Sequence, residues 1–110
     1  MAVRRIDLLQ GTLDLLILRS LGSVPNHGYG IAARIHQLSD DELRVEEGSL
    51  YPALYRLEEQ GLVESEWGVT DSGRRARFYR LTSAGRDRLG AEVDTFGRVF
   101  ASIARVLQTD

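Results

Sequence analysis

The last third of this chain limits its fold more than any other part. From Leu89 the apolar residues run Leu89, Val93, Phe96, Phe100, Ile103 and Leu107, in steps of four, three, four, three and four. Val99 and Val106 thicken the same side. This spacing gives an α-helix one apolar seam that returns every seven residues. Thr82 is placed to cap that helix, and a run from Ser83 to Leu107 would reach about 37 Å. A chain of 110 residues makes one small domain hardly wider than that, so much of the helix must stand clear of its own core. An exposed apolar seam of that length calls for a partner, most simply a second copy of the chain. The expected dimer contacts are Leu89, Val93, Phe96, Phe100, Ile103 and Leu107.

Upstream, Leu13, Leu16, Ile17 and Leu21 follow helical spacing, with Leu15 and Leu18 widening the apolar face. Thr12 is the expected N-cap, and Asp14 places negative charge in the first turn. Gly22, Ser23, Pro25 and Asn26 mark a turn. A second helix is expected from Gly28 to Leu38, burying Ile31, Ile35 and Leu38 with Tyr29 or Ala32, and His27 is placed to cap it. Ser39 to Glu42 reads as an acidic loop, and Leu43 to Val45 as a short strand.

Ser49 is expected to open a third helix that ends at Gln60, with Gly61 beyond its end. Leu50, Leu54 and Leu57 form a narrow stripe that packs inward, so Tyr51, Tyr55, Arg56 and Glu59 point elsewhere. After Gly61 the period changes to two. Val63, Ser65, Trp67 and Val69 alternate with Glu64, Glu66 and Gly68, Asp71 to Gly73 form a turn, and Ala76 to Leu81 alternate again. Two strands after a helix make the wing of a winged helix-turn-helix. The expected fold is therefore mainly α with a small β-hairpin. Residues 1–82 would form the DNA-binding domain and 83–110 the dimerisation helix.

Several classes of function find no support. There is no cysteine, so thiol chemistry and Cys-bound metals are excluded. The two histidines, His27 and His36, have no carboxylates at metal-ligating spacing, and no cofactor motif is present. Gly28-Tyr29-Gly30 follows no strand and lacks a third glycine, so it is no dinucleotide fingerprint. No nucleophile elbow, phosphate loop or paired acid points to an enzyme. The apolar run from Leu13 to Leu21 contains Asp14 and Arg19, too charged to cross a membrane. At the N-terminus, Asp7 and Gln10 interrupt the apolar run that a signal peptide would need after Arg4 and Arg5. A cytoplasmic protein is expected.

Net charge is −2, which alone does not favour a nucleic-acid partner. The charges are segregated, however: Arg74, Arg75, Arg77 and Arg80 crowd one segment, and Asp40, Asp41, Glu42, Glu46 and Glu47 another. A near-neutral protein can therefore present one basic edge.

The stretches His27-Gly28-Tyr29-Gly30-Ile31, Gly48 through Val63, Ser65-Glu66-Trp67, Gly73 through Tyr79 and Leu81-Thr82-Ser83-Ala84-Gly85 resemble the PadR family of transcriptional regulators. The resemblance extends over roughly residues 9 to 90. The resemblance implies a winged helix-turn-helix whose last helix pairs with the first and last helices of a second protomer. It further implies a repressor that binds double-stranded DNA at an inverted repeat near its own gene. The family's recognition helix falls on Ser49 to Gln60 and its wing tip on Asp71 to Arg74. Some relatives bind planar aromatic effectors near the dimer interface, certain of them through a Trp on the last helix. This chain has Phe96 and Phe100 there, so its small-molecule effector would differ or be absent.

On this reading Ser49, at a helix start, would hold a phosphate, and Tyr51, Tyr55 and Arg56 would face the bases. Arg56 would fork onto a guanine. Its competing role is a surface pair with a nearby glutamate, and that of Tyr55 is packing against the wing. From the wing, Arg74, Arg75 and Arg77 would touch phosphate or the minor groove. Trp67 is expected to pack against the wing or the first helices. The rival function is a winged-helix module that associates with proteins and does not bind DNA, a reading that the acidic loop and the negative net charge favour.

Overall fold

A computed structural model describes residues 10–110, and the reading of Arg4, Arg5 and Asp7 lies outside them. The elements in order are α1 (Gln10–Ser20), β1 (Asn26–His27), α2 (Gly28–Leu38), α3 (Glu47–Glu59), β2 (Val63–Val69), β3 (Arg75–Leu81) and α4 (Ser83–Leu107). At the centre is α1, with Leu13, Leu15, Ile17, Leu18 and Leu21 buried and Leu16 packed against the same core. A helix apolar on nearly every side has to be surrounded. It packs against α2, α3 and α4. Ile31 and Ile35 of α2, Leu50, Ala53, Leu54 and Leu57 of α3, and Leu62, Val63, Tyr79 and Leu81 at the sheet base complete the core. Among the described residues no helix is long and apolar enough to cross a membrane.

Several expected helix ends hold. The His27 ring nitrogen Nδ1 accepts the Gly30 N–H at 3.1 Å and caps α2. Thr82 caps α4 by accepting the Gly85 N–H at 3.0 Å, while its hydroxyl donates to the Gly61 carbonyl at 2.6 Å. Gly61 has φ +75°, the left-handed conformation that a glycine after a helix adopts without strain.

Other expectations are corrected. Thr12 lies inside α1, which already includes Gln10 and Gly11, and is no cap. Ser49 lies inside α3, whose N-cap is Glu46. Pro52 therefore sits in the helix interior, where its missing N–H leaves the Gly48 carbonyl without a helical partner. Both residues are exposed, so water can take that place. Leu43 to Val45 form no strand, although Leu43 and Val45 pack against the core. Leu38 and Tyr29 are exposed, so the buried side of α2 rests on Ile31 and Ile35.

The sheet has three strands in the order β1-β3-β2, all antiparallel. The two-residue β1 lies within a segment that reads as a turn, and pairs Asn26 with Tyr79 and His27 with Phe78. The face carrying Val63, Ser65, Trp67 and Val69 is covered only at its base. Val63 is buried, whereas Trp67 and Val69 are exposed because the hairpin projects past the helices.

Leu89 is buried in the chain's own core and Phe96 packs partly against it. Leu89 is thus a core residue, not a free seam position. From Gly97 to Asp110 every residue is exposed, so the uncovered part of the seam is Val93, Val99, Phe100, Ile103, Val106 and Leu107. The start of α4 lies so close to the end of α3 that a methyl group at Gly85 would run into the Leu62 carbonyl, whereas one at Gly90 would meet nothing.

One polar contact crosses the helical core. Arg56 Nη2 of α3 donates to Asp14 Oδ1 of α1 at 2.9 Å. Arg56 was expected on or beside the outward face, yet the structure turns it inward, to an aspartate on another helix and not to a surface glutamate. Burial pushes the Asp14 carboxyl up from its ordinary pKa, and the Arg56 charge and hydrogen bond pull it partly back.

Arg56→Ala should lower unfolding stability by about 1–3 kcal/mol, because it leaves Asp14 half-buried and unpaired. Asp14→Asn should cost about 1 kcal/mol or less, since the amide oxygen still accepts from Arg56. Urea unfolding followed by circular dichroism measures both. In the same assay Gly85→Ala should destabilise by about 1–3 kcal/mol through overpacking. Gly90→Ala should stabilise by up to about 1 kcal/mol through helix propensity.

Candidate nucleic-acid interface

The inward stripe of α3 leaves Ser49, Tyr51, Pro52, Tyr55 and Glu59 exposed on its other side. Tyr55 is 69% exposed and Tyr51 48%. Tyr51 leans on the start of α2, where a Cβ at position 28 would stand 2.8 Å from its ring and hydroxyl. Glycine at 28 is what lets the two helices approach. Arg56 shares this helix but is committed to Asp14, so the outward face presents two phenols without a guanidinium.

Acidic residues occupy the start of α3, with Glu46 at the cap position and Glu47 in the first turn. They complement the positive end of the helix dipole. The Ser49 N–H is turned to the Glu46 carbonyl at 3.0 Å. Ser49 is thus not the helix-opening residue that was expected, and it stands as an exposed hydroxyl on the first turns of α3.

At the wing tip, Thr70 organises the turn. Its N–H donates to the Arg74 carbonyl at 2.8 Å, its carbonyl accepts from Gly73 at 2.9 Å, and its Oγ1 accepts the Arg74 N–H at 3.1 Å. The wing arginines then divide into two groups. Arg80 lies between Glu64 at 2.8 Å and Glu66 at 3.3 Å. Arg77 donates to Ser65 Oγ at 3.1 Å and lies 3.9 Å from Glu58, while Ser65 donates to Glu58 at 2.8 Å. That network ties the wing to α3 and partly neutralises Arg77. Among the described residues Arg74 and Arg75 have no carboxylate partner. Trp67 stays on the wing, with the guanidinium carbons of Arg75 and Arg77 at 4.8 and 5.7 Å from its ring centre.

These parts meet around an open concavity of about 930 Å³ whose lining includes Tyr29, Tyr51, Trp67, Arg74, Arg75 and Arg77. The structure thus brings Tyr51 and all three predicted wing arginines to one surface, beside which Tyr55 stands exposed. Sequence reasoning missed Tyr29 and Trp67 as members of that surface. Both are large aromatics in short polar surroundings, which was the available signal. On the seam of α4, Phe96 stands edge-on to Phe100, with ring centres 5.5 Å apart. Among the described residues no group of three His, Cys, Asp or Glu is placed to hold a metal ion.

Comparison with known proteins agrees with this architecture. The model of the transcriptional regulator PadR-like family matches residues 17–91. The chain is 53% identical over 53 residues to Transcriptional regulator Rv3488 of Mycobacterium tuberculosis, a match covering 48% of this chain and 49% of that protein. A solved PadR family transcriptional regulator of Eggerthella lenta superposes with TM-score 0.72 at 32% identity, covering 92% of this chain and 86% of that one. The PadR-like transcriptional regulator BC4206 of Bacillus cereus superposes with TM-score 0.77 at 25% identity, covering 93% and 97%. With the winged helix-turn-helix, the basic wing and the projecting last helix all in place, the chain belongs to the PadR-like family of transcriptional regulators.

Proposed function

We propose that this chain is a cytoplasmic repressor that binds an inverted-repeat operator as a homodimer. Residues 1–82 would serve as its DNA-binding domain and 83–110 as its dimerisation helix. The observation that carries the reading is the shared surface of α3 and the wing, where exposed Tyr51 joins Arg74 and Arg75, which have no carboxylate partner among the described residues, and Tyr55 is exposed one turn further along α3. Phosphates attract Arg74 and Arg75 and position the protein, while the outward side of α3 meets base edges. Ser49, Tyr51 and Tyr55 are the side chains for that reading. Arg56 acts behind them by holding α3 against α1, and Arg77 by holding the wing.

The exposed part of the seam supports the dimer. Phe100 and Ile103 are about half exposed, at 53% and 49%, and Leu107 is 78% exposed. A second α4 laid against them would cover a continuous apolar strip. A small-molecule effector that releases the DNA would act through this seam, with Phe96 and Phe100 as its aromatic lining. The rival reading, a protein-interaction module, draws on the acids at the start of α3, and the salt dependence of DNA binding separates the two.

Arg74→Ala with Arg75→Ala should weaken specific and nonspecific duplex binding alike, and should flatten the log–log salt slope by roughly two per bound protomer. Fluorescence anisotropy across a salt series measures this, and an unchanged slope removes the wing from the interface. Phe100→Asp with Ile103→Asp should give folded monomers at low micromolar concentration, because neither side chain belongs to the protomer's own core. Light scattering that still reports a dimer would place the interface elsewhere.

A further inference from the structure

Trp67 stands apart from the ion pairs that organise the wing. It is the chain's one tryptophan, it sits on the projecting wing, and it is 58% exposed. The register places Trp67 opposite Arg77 and Val69 opposite Arg75, so these four side chains form one face of the outer hairpin. On the other face, Arg80 is held between Glu64 and Glu66. One face is therefore closed by its own ion pairs, and the other offers an indole, a valine and, at Arg75, a guanidinium with no carboxylate partner among the described residues.

That pairing of chemistry selects its occupant. An unneutralised cationic face favours a polyanion, whereas an exposed indole favours apolar surface. The backbone of duplex DNA provides both in alternation, as phosphate oxygens and the C–H faces of deoxyribose. Arg75 and Trp67 are also coupled, since the guanidinium lies 4.8 Å from the ring centre, within cation–π range. The ring thus restricts where the guanidinium sits before any phosphate arrives.

Resting on the DNA-binding reading, we propose that Trp67 is a DNA-contacting residue of the wing: its indole seats against deoxyribose while its face holds Arg75 for the adjacent phosphate. Because sugar and phosphate are the contacts, the interaction is independent of sequence and contributes on any duplex.

The chain's intrinsic fluorescence tests this directly, because tryptophan emission comes from this residue alone. Two probes serve, a random-sequence duplex at low salt and the duplex from upstream of the protein's own coding sequence. Anisotropy of a dye-labelled duplex shows independently that a complex has formed. Acrylamide quenching of Trp67 should fall when either duplex saturates the wild-type protein. Trp67→Ala should weaken both duplexes about tenfold, and Trp67→Phe, which keeps a ring beneath the guanidinium, should recover most of that loss. Adding Trp67→Ala to Arg75→Ala should cost less than Trp67→Ala alone, as two residues acting through one contact require. Quenching that is unchanged in a complex that anisotropy reports as formed would overturn the proposal and leave the wing tryptophan to a protein partner, with DNA binding intact. Wild-type affinity in Trp67→Ala would do the same. Failure of both duplexes to bind wild-type protein would overturn the DNA-binding reading itself, and this proposal with it.

Discussion

Everything in this molecule is oriented by the burial of α1. Leu13, Leu15, Ile17, Leu18 and Leu21 point around nearly the whole helix, and each contributes about 1.5–3 kcal/mol on leaving water. No single neighbour could cover them. Three helices must close around α1, and they do: α2, α3 and α4 each rest on it. The angle between α3 and the projecting α4 therefore depends on the helix that both of them rest on. The Arg56–Asp14 pair adds direction to this non-directional packing, pinning one side of α3 to α1. With that side and the Leu50, Leu54, Leu57 stripe facing inward, Tyr51 and Tyr55 are left on the outside.

Charge is allocated with equal economy. A net charge of −2 conceals how differently the arginines are used. Arg56 joins two helices, Arg77 joins the wing to α3 through Ser65 and Glu58, and Arg80 straps two glutamates of β2. Arg56 and Arg80 are neutralised where they stand, and Arg77 in part. Of the wing arginines, Arg74 and Arg75 at the tip, set by the Thr70 turn, are the two without a carboxylate partner among the described residues. The acids at the start of α3 stabilise the helix through its dipole. A count of basic residues in the segment would have overstated the positive surface, because half of those cations have local partners.

Much of the fold was legible in the sequence because it rests on short-range periodicity and capping. The limits of α2 and α4, the bounds of β2, the caps at His27 and Thr82 and the glycine after α3 all follow from residues within a few positions of one another. The candidate site was legible in part. Exposure of Tyr51 and Tyr55 follows from the stripe opposite them, and the crowding of arginines in the wing is plain. Arg56 was not readable in the same way. Helical spacing gives the angle of a side chain about its own axis, but Asp14 lies 42 positions away and only packing brings it within reach.

What the sequence determined by itself is therefore the set of elements and the apolar side of each, including a last helix too long for its own domain. Tertiary structure decided how those sides were used. It drew Leu89 into the core and left Phe100 and Ile103 outside, though all three belong to one unbroken seam. It left Leu38 exposed at the end of α2, and made a strand of Asn26 and His27, which have no strand-forming pattern of their own. It also exposed Trp67, because the hairpin extends beyond the helices that cover its base. The reason is the same in each case: periodicity states which side of an element is apolar, but how far along that side a neighbour extends is a property of the assembled chain.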